Sequence, residues 1–216
     1  EVKTIHTRLS KPTKITKTLI NSLVDEGWRQ FRSAGPSTGE ILIEQELVNT
    51  HLNGYRRISP IGKSAETVTL ELYLSTSAES LIFGLEAIFE KYFPEISVTP
   101  RSCTLSFFKS LRNIFKEKEF YLIFHISGEV SDISLIRDGS LVESVSFPFG
   151  SSTFLRALAH EMRVSNEEIF SILKLSSGKG DTSIKERLSK AVESPRANWL
   201  SFFEKSLAEL ADRHGV

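Results

Sequence analysis

Residues 120–150 restrict the fold more than any other part of the chain: Phe-Tyr-Leu-Ile-Phe-His-Ile-Ser-Gly-Glu-Val-Ser-Asp-Ile-Ser-Leu-Ile-Arg-Asp-Gly-Ser-Leu-Val-Glu-Ser-Val-Ser-Phe-Pro-Phe-Gly. The apolar run 121–126 predicts a strand that enters a tight polar turn around Gly128. A second strand, 133–136, leads to Asp138–Gly139, and a third, 141–147, stops at Pro148 and Gly150. Asp-Gly between two apolar runs is a strong short-range hairpin signal, because both turn residues must tolerate positive φ. A helical pattern follows from Ser151 to Arg163.

With 216 residues, 40% of them hydrophobic, and 15 Phe, the chain can build one large core or two small ones. Its 27 basic and 27 acidic residues cancel, so no global charge attracts nucleic acid or acidic lipid. The local excess of Lys3, Arg8, Lys11, Lys14 and Lys17 reads as a solvated face. One cysteine, Cys103, excludes an internal disulfide framework and fits a reducing cytoplasm. No apolar run reaches about 18 residues, so no membrane span is expected. The chain opens on Glu1 and shows no signal peptide, and is read as a trimmed piece of a longer protein.

Upstream, 2–9 read as a strand. Pro12 and Thr13 introduce a helix to about Phe31, with Ile15, Leu19, Ile20, Leu23, Val24 and Trp28 at helical spacing. A strand over 40–49 places Ile41, Ile43 and Leu47 on one side. Asn53–Gly54 and 60–62 are turns. Over 66–75, Val68, Leu70, Leu72 and Leu74 alternate with Thr67, Thr69, Glu71 and Tyr73, which predicts a half-buried strand. Thr76 to Glu79 reads as a capping box. It opens a helix to Tyr92 with Leu81, Ile82, Leu85, Ile88 and Phe89 inward. A short strand over 96–98 completes a β-α-β-β-α-β order. Residues 101–117 form a helix, Ser165 and Glu168 make a second capping box, and 176–183 read as a flexible linker. Helices are predicted over 184–193 and 195–213. Ser194–Pro195 serves as N-cap and first-turn pair, and Leu200, Phe203, Leu207 and Leu210 form the buried stripe.

The 120–150 run resembles the opening of the second lobe of actin-like ATPases, in the branch of FtsA (cell division) and PilM (type IV pilus). The family loop is Asp-Ile-Gly-Gly-Gly-Thr-x-Asp; here it reads His125-Ile126-Ser127-Gly128-Glu129-Val130-Ser131-Asp132. The upstream β-α-β-β-α-β order, with Asn53-Gly54-Tyr55 and Pro60-Ile61-Gly62-Lys63 before an alternating strand, is similar to the family's SHS2-like 1C subdomain. The fold the resemblance implies is α/β with α+β elements, a fragment of an actin-like (ribonuclease H-like) two-lobed fold. It divides into an interaction subdomain over 1–100, an inter-lobe helix over 101–118, and a second-lobe core over 119–216 with a shortened helical insertion.

What the resemblance implies about chemistry is tempered by the loop itself. In the family, ATP and Mg²⁺ are held by this loop, by an upstream Asp-x-Gly hairpin and by a downstream Gly-rich adenosine loop. Neither of the latter two is found in this chain. His125 replaces the family carboxylate, and an imidazole is a poor ligand for a hard cation. Ser127 and Glu129 replace glycines, Val130 replaces the threonine, and only Gly128 and Asp132 match. Candidate site residues are therefore a degenerate nucleotide loop, His125, Ser127, Gly128, Glu129 and Asp132, re-purposed or kept for its shape. No catalytic residue, no metal ligand and no cofactor are assigned to this chain. His160–Glu161 lacks a second helical histidine, Ser151 reads as a helix N-cap, and Cys103 reads as an inert thiol.

The function these readings imply is a cytoplasmic, bacterial protein-interaction scaffold of cell division or pilus assembly, a pseudo-ATPase rather than an enzyme. Its partners would be proteins of those machineries, with self-association, no nucleic acid, and peripheral placement at the inner membrane through partners. The alternative is an actin-like ATPase whose missing loops lie outside this chain.

Overall fold

The computed structural model describes residues 2–33, 39–115, 118–176 and 182–215. Two compact units form. One takes residues 1–120 and 136–142, the other residues 121–135 and 143–216.

The first unit is built on a four-stranded antiparallel sheet, in the order β1 (Val2–Lys14), β4 (Ser64–Ala78), β2 (Glu40–Leu52), β3 (Tyr55–Arg56). The alternation over 66–75 places Val68, Leu70, Leu72 and Leu74 in the core, each 1% exposed or less. Helix α1 (Lys17–Ser33) lays Ile20, Leu23 and Gly27 against that face. Gly27 permits the close approach, since a Cβ there would stand 2.5 Å from Leu72 Cδ1. Asn53 and Gly54 turn the β2–β3 hairpin with φ of 50° and 82°, as the sequence predicts.

The structure corrects several expectations in this unit. The first strand does not yield to a helix at Pro12 but runs on to Lys14. Its pairing with β4 slips between Arg8 and Thr13, and an edge strand tolerates proline at such an irregularity. Ile15 is wholly buried ahead of α1 rather than on it, and Thr16 Oγ1 accepts the Leu19 amide. Strand β2 slips twice against β4, between Leu42 and Glu44 and between Leu47 and Asn49. Each extra residue exchanges the two faces, so Leu42 and Leu47 reach the core and the expected grouping of Ile41 with Ile43 and Leu47 fails.

Thr76 to Glu79 is not a capping box. β4 extends through Ala78, and Thr76 donates to Glu40 across the sheet instead. Helix α2 (Glu79–Tyr92) buries only Ile82; Leu81, Leu85 and Ile88 are exposed. No strand forms over 96–98; the five residues between Pro94 and Pro100 offer few ladder bonds. Helix α3 (Cys103–Ile114) is capped by Ser102, whose hydroxyl also accepts from Tyr73. Buried Glu44 receives the Ser102 amide and Arg101, both at 3.1 Å.

The second unit holds most of an antiparallel sheet of β5 (Phe120–Ile126), β6 (Ser131–Arg137) and β7 (Ser140–Phe147). Asp138 and Gly139 turn the β6–β7 hairpin with φ of 52° and 66°. Helices α4 (Ser151–Met162), α5 (Asn166–Ser176), α6 (Thr182–Ala191) and α7 (Glu193–His214) follow. Ser165 and Glu168 form the expected reciprocal capping box, at 2.8 and 3.2 Å. The expected linker lies largely in 177–181, outside the described residues. Ser194 is not an N-cap: α7 begins one residue earlier, from Val192 in helical conformation, with Pro195 inside its first turn.

Helix α7 docks on the sheet through aromatic rings. Trp199 meets Phe147 at 5.8 Å and stacks on Phe203 at 5.1 Å, while Phe203 meets Phe124 at 5.4 Å. Of the expected stripe, Leu210 is fully buried, Phe203 and Leu207 are half-buried, and Leu200 is exposed.

Candidate functional site

The turn joining β5 to β6, residues 127–130, is a small closed structure. Ser127 donates its amide (2.9 Å) and its hydroxyl (2.7 Å) to the Val130 carbonyl, and its oxygen accepts weakly from the Val130 amide at 3.3 Å. The Ser127 and Gly128 carbonyls point away from the turn, onto the start of α4. Ser127 O accepts the Ser151 amide at 2.8 Å and the Ser151 hydroxyl at 3.0 Å, while Gly128 O accepts the Ser152 amide at 2.7 Å.

The first amides of a helix have no partner within it and carry the positive end of its dipole. Two of those on α4 are taken by backbone carbonyls of the turn. Gly150, not Ser151, is the N-cap. A Cβ at Gly150 would stand 2.5 Å from both carbonyl oxygens, so glycine is required by close approach rather than by φ.

Glu129 reaches along α4. Its carboxylate accepts from Arg156 Nη1 at 2.8 Å, Arg156 Nη2 at 2.5 Å and Thr153 Oγ1 at 3.0 Å. The Arg156 guanidinium, with Thr153 assisting, pulls the Glu129 carboxyl down to about 2, and the pair in turn raises Arg156.

His125 and Asp132 sit side by side on neighbouring strands, Nδ1 to Oδ2 3.1 Å, and Ser146 of β7 donates to Asp132 at 2.6 Å. Ser131, on the opposite face, donates to the Phe149 carbonyl at 2.7 Å and accepts from Trp199 Nε1 at 3.3 Å.

All five sequence-predicted residues thus lie in or beside one turn. They form two separate networks, Glu129 with α4 and His125–Asp132 with β7. Sequence reasoning missed Gly150, Thr153 and Arg156. Glu129 and Arg156 are separated by 27 positions, and no motif spacing links them. Only Gly150, standing just before a helical pattern, was visible as a landmark. Among the described residues no cluster of three or more His, Cys, Asp or Glu could hold a metal ion, and no helix is long and apolar enough to cross a membrane. Cys103 is exposed at the start of α3.

No family model and no curated protein matches the sequence. Among solved structures, a chain of the PilM–PilN type IV pilus biogenesis complex superposes with a TM-score of 0.62 at 13% identity, covering 98% of this chain and 56% of that one. The ethanolamine utilization protein EutJ from Carboxydothermus hydrogenoformans overlays 47% of this chain and 35% of its own, at 19% identity and a TM-score of 0.36. The protein therefore shares the fold of that chain of the PilM–PilN complex and spans little more than half its length.

Proposed function

We propose that this protein is a PilM-like interaction scaffold that works without turning over nucleotide. The observation that carries this reading is the closure of the 127–130 turn onto α4. A phosphate bound at such a place uses the free amides of a helix start and a turn backbone that approaches closely. Here Ser127 O and Gly128 O occupy the Ser151 and Ser152 amides, so an oxyanion would have to displace carbonyl oxygens and meet their lone pairs. Glu129 adds a carboxylate beside that position, already satisfied by Arg156 and Thr153. At the position of the family's magnesium carboxylate stands His125, and Asp132 is engaged by His125 and Ser146. These residues do not fit Mg-ATP.

A scaffold needs a surface instead. In the first unit, β1 is an edge strand of 13 residues, and the backbone groups on its outer side can accept an extended segment by strand addition. The PilM–PilN complex belongs to pilus biogenesis, and a protein of that machinery is the partner class we assign here; division proteins are the second. Affinity capture with the intact chain, with and without Mg-ATP, tests the assignment. Equal recovery of the same pilus-machinery protein in both conditions is the expected result. Recovery that requires ATP, or phosphate release above background, overturns it.

A further inference from the structure

A second binding feature lies in the second unit, beside the closed turn. An almost wholly apolar pocket of about 390 Å³ opens between the start of α4 and the first turns of α7, walled by Ile126, Phe154, Leu155 and Trp199. That volume falls at the lower end of ligand pockets, about 300–1,000 Å³, and has room for one large side chain with part of the segment that carries it.

Its walls are fixed. Trp199 spends its only donor on Ser131 and one ring face on Phe203, and Phe154 packs edge-on against Phe149 at 6.4 Å. Ser151, which lines the pocket beside Gly150, is held by the Ser127 carbonyl through its amide and its hydroxyl. An apolar side chain entering here would lose little to reorganisation of the site.

One charge lines this pocket. Arg196 is exposed, and its side chain makes no ion pair or hydrogen bond among the described residues. The other guanidinium of this region, on Arg156, is already engaged by Glu129. An exposed guanidinium without a partner among the described residues, beside an apolar pocket, is complementary to a carboxylate placed next to an apolar group.

We propose that this pocket captures a peptide of a partner protein, inserting one aromatic or large aliphatic side chain while an adjacent Asp or Glu pairs with Arg196. The proposal deepens the scaffold reading and rests on it for its biological sense. It does not depend on β1 or on the fate of ATP.

Trp199 provides the readout. In the full chain carrying Trp28→Phe, emission comes from Trp199 alone, since the sequence holds two tryptophans. The probes are short peptides with a central phenylalanine flanked by aspartates, the same peptide with asparagines, and the same with lysines. Saturable change with the aspartate peptide is expected, weakened about tenfold to a hundredfold by Arg196→Glu or by exchange of aspartate for lysine. Arg196 is exposed, so this variant keeps the fold, which circular dichroism verifies. Equal binding of the aspartate and lysine peptides, no effect of Arg196→Glu, or no saturable change at millimolar peptide overturns the proposal. Free phenylacetate competing as tightly as the peptide also overturns it, assigning the pocket to a small aromatic acid. Any of these failures leaves the ATP-independent capture experiment to stand or fall alone.

Discussion

The Glu129 carboxylate lies across the Arg156 guanidinium with both oxygens engaged, at 2.8 and 2.5 Å, and this pair joins the turn to α4 at its outer side. A glutamate that would repel a polyphosphate instead serves as a clasp. Its ionised form is favoured by the clasp, so the contribution is present above the ordinary carboxylate value of 4.5 and is lost as pH falls through about 2. Arg156→Ala should return the Glu129 carboxyl toward 4.5, read by carbon NMR of the side-chain carboxyl. Unchanged titration near 2 would mean that Arg156 is not the cause. Both groups are exposed, so the effect on overall stability should be small.

Gly150→Ala tests the inner side of the same junction. The added methyl must push backbone oxygens of Ser127 and Gly128 away from α4. A destabilisation of roughly 1–3 kcal/mol is expected in urea unfolding. Faster hydrogen exchange at the Ser151 and Ser152 amides should accompany it. Wild-type stability with unchanged exchange would contradict the closed junction.

Helix α7 should respond unevenly to truncation. Leu210 is 1% exposed, and Leu210→Ala should cost about 2–5 kcal/mol. Phe203 is half-buried but stacks on Trp199 and meets Phe124, so Phe203→Ala should cost roughly 1.5–3 kcal/mol. Thermal or urea unfolding of both variants gives the order. A larger loss at Phe203 than at Leu210 would mean that the aromatic seam, rather than the end of the helix, anchors α7.

Much of the fold was legible because local chemistry decides it. Asn53–Gly54 and Asp138–Gly139 must turn, the 66–75 alternation must bury one face, and Ser165 with Glu168 caps a helix wherever the helix goes. The errors fall where the outcome depends on a distant neighbour. The period of α2 marks an apolar face but cannot say that Leu81, Leu85 and Ile88 stay exposed in this chain. Thr76 had a local partner in Glu79 and took a cross-strand one in Glu40. The slips in β2 exchange its faces without any Gly or Pro to announce them.

The candidate site was half legible. His125, Glu129 and Val130 differ by residue type alone from the phosphate loop that the stretch resembles. How the departure is stabilised was hidden, because Arg156, Thr153 and Gly150 act through tertiary contact. The replacement of glycines also reads differently in three dimensions: the tight approach survives, but between the turn and Gly150.

Closure of this turn to phosphate is tested most directly by calorimetric titration of the intact chain with Mg-ATP. No saturable heat up to millimolar nucleotide and no shift of the Ser151 and Ser152 amide resonances are expected. Micromolar binding that moves those resonances would contradict it.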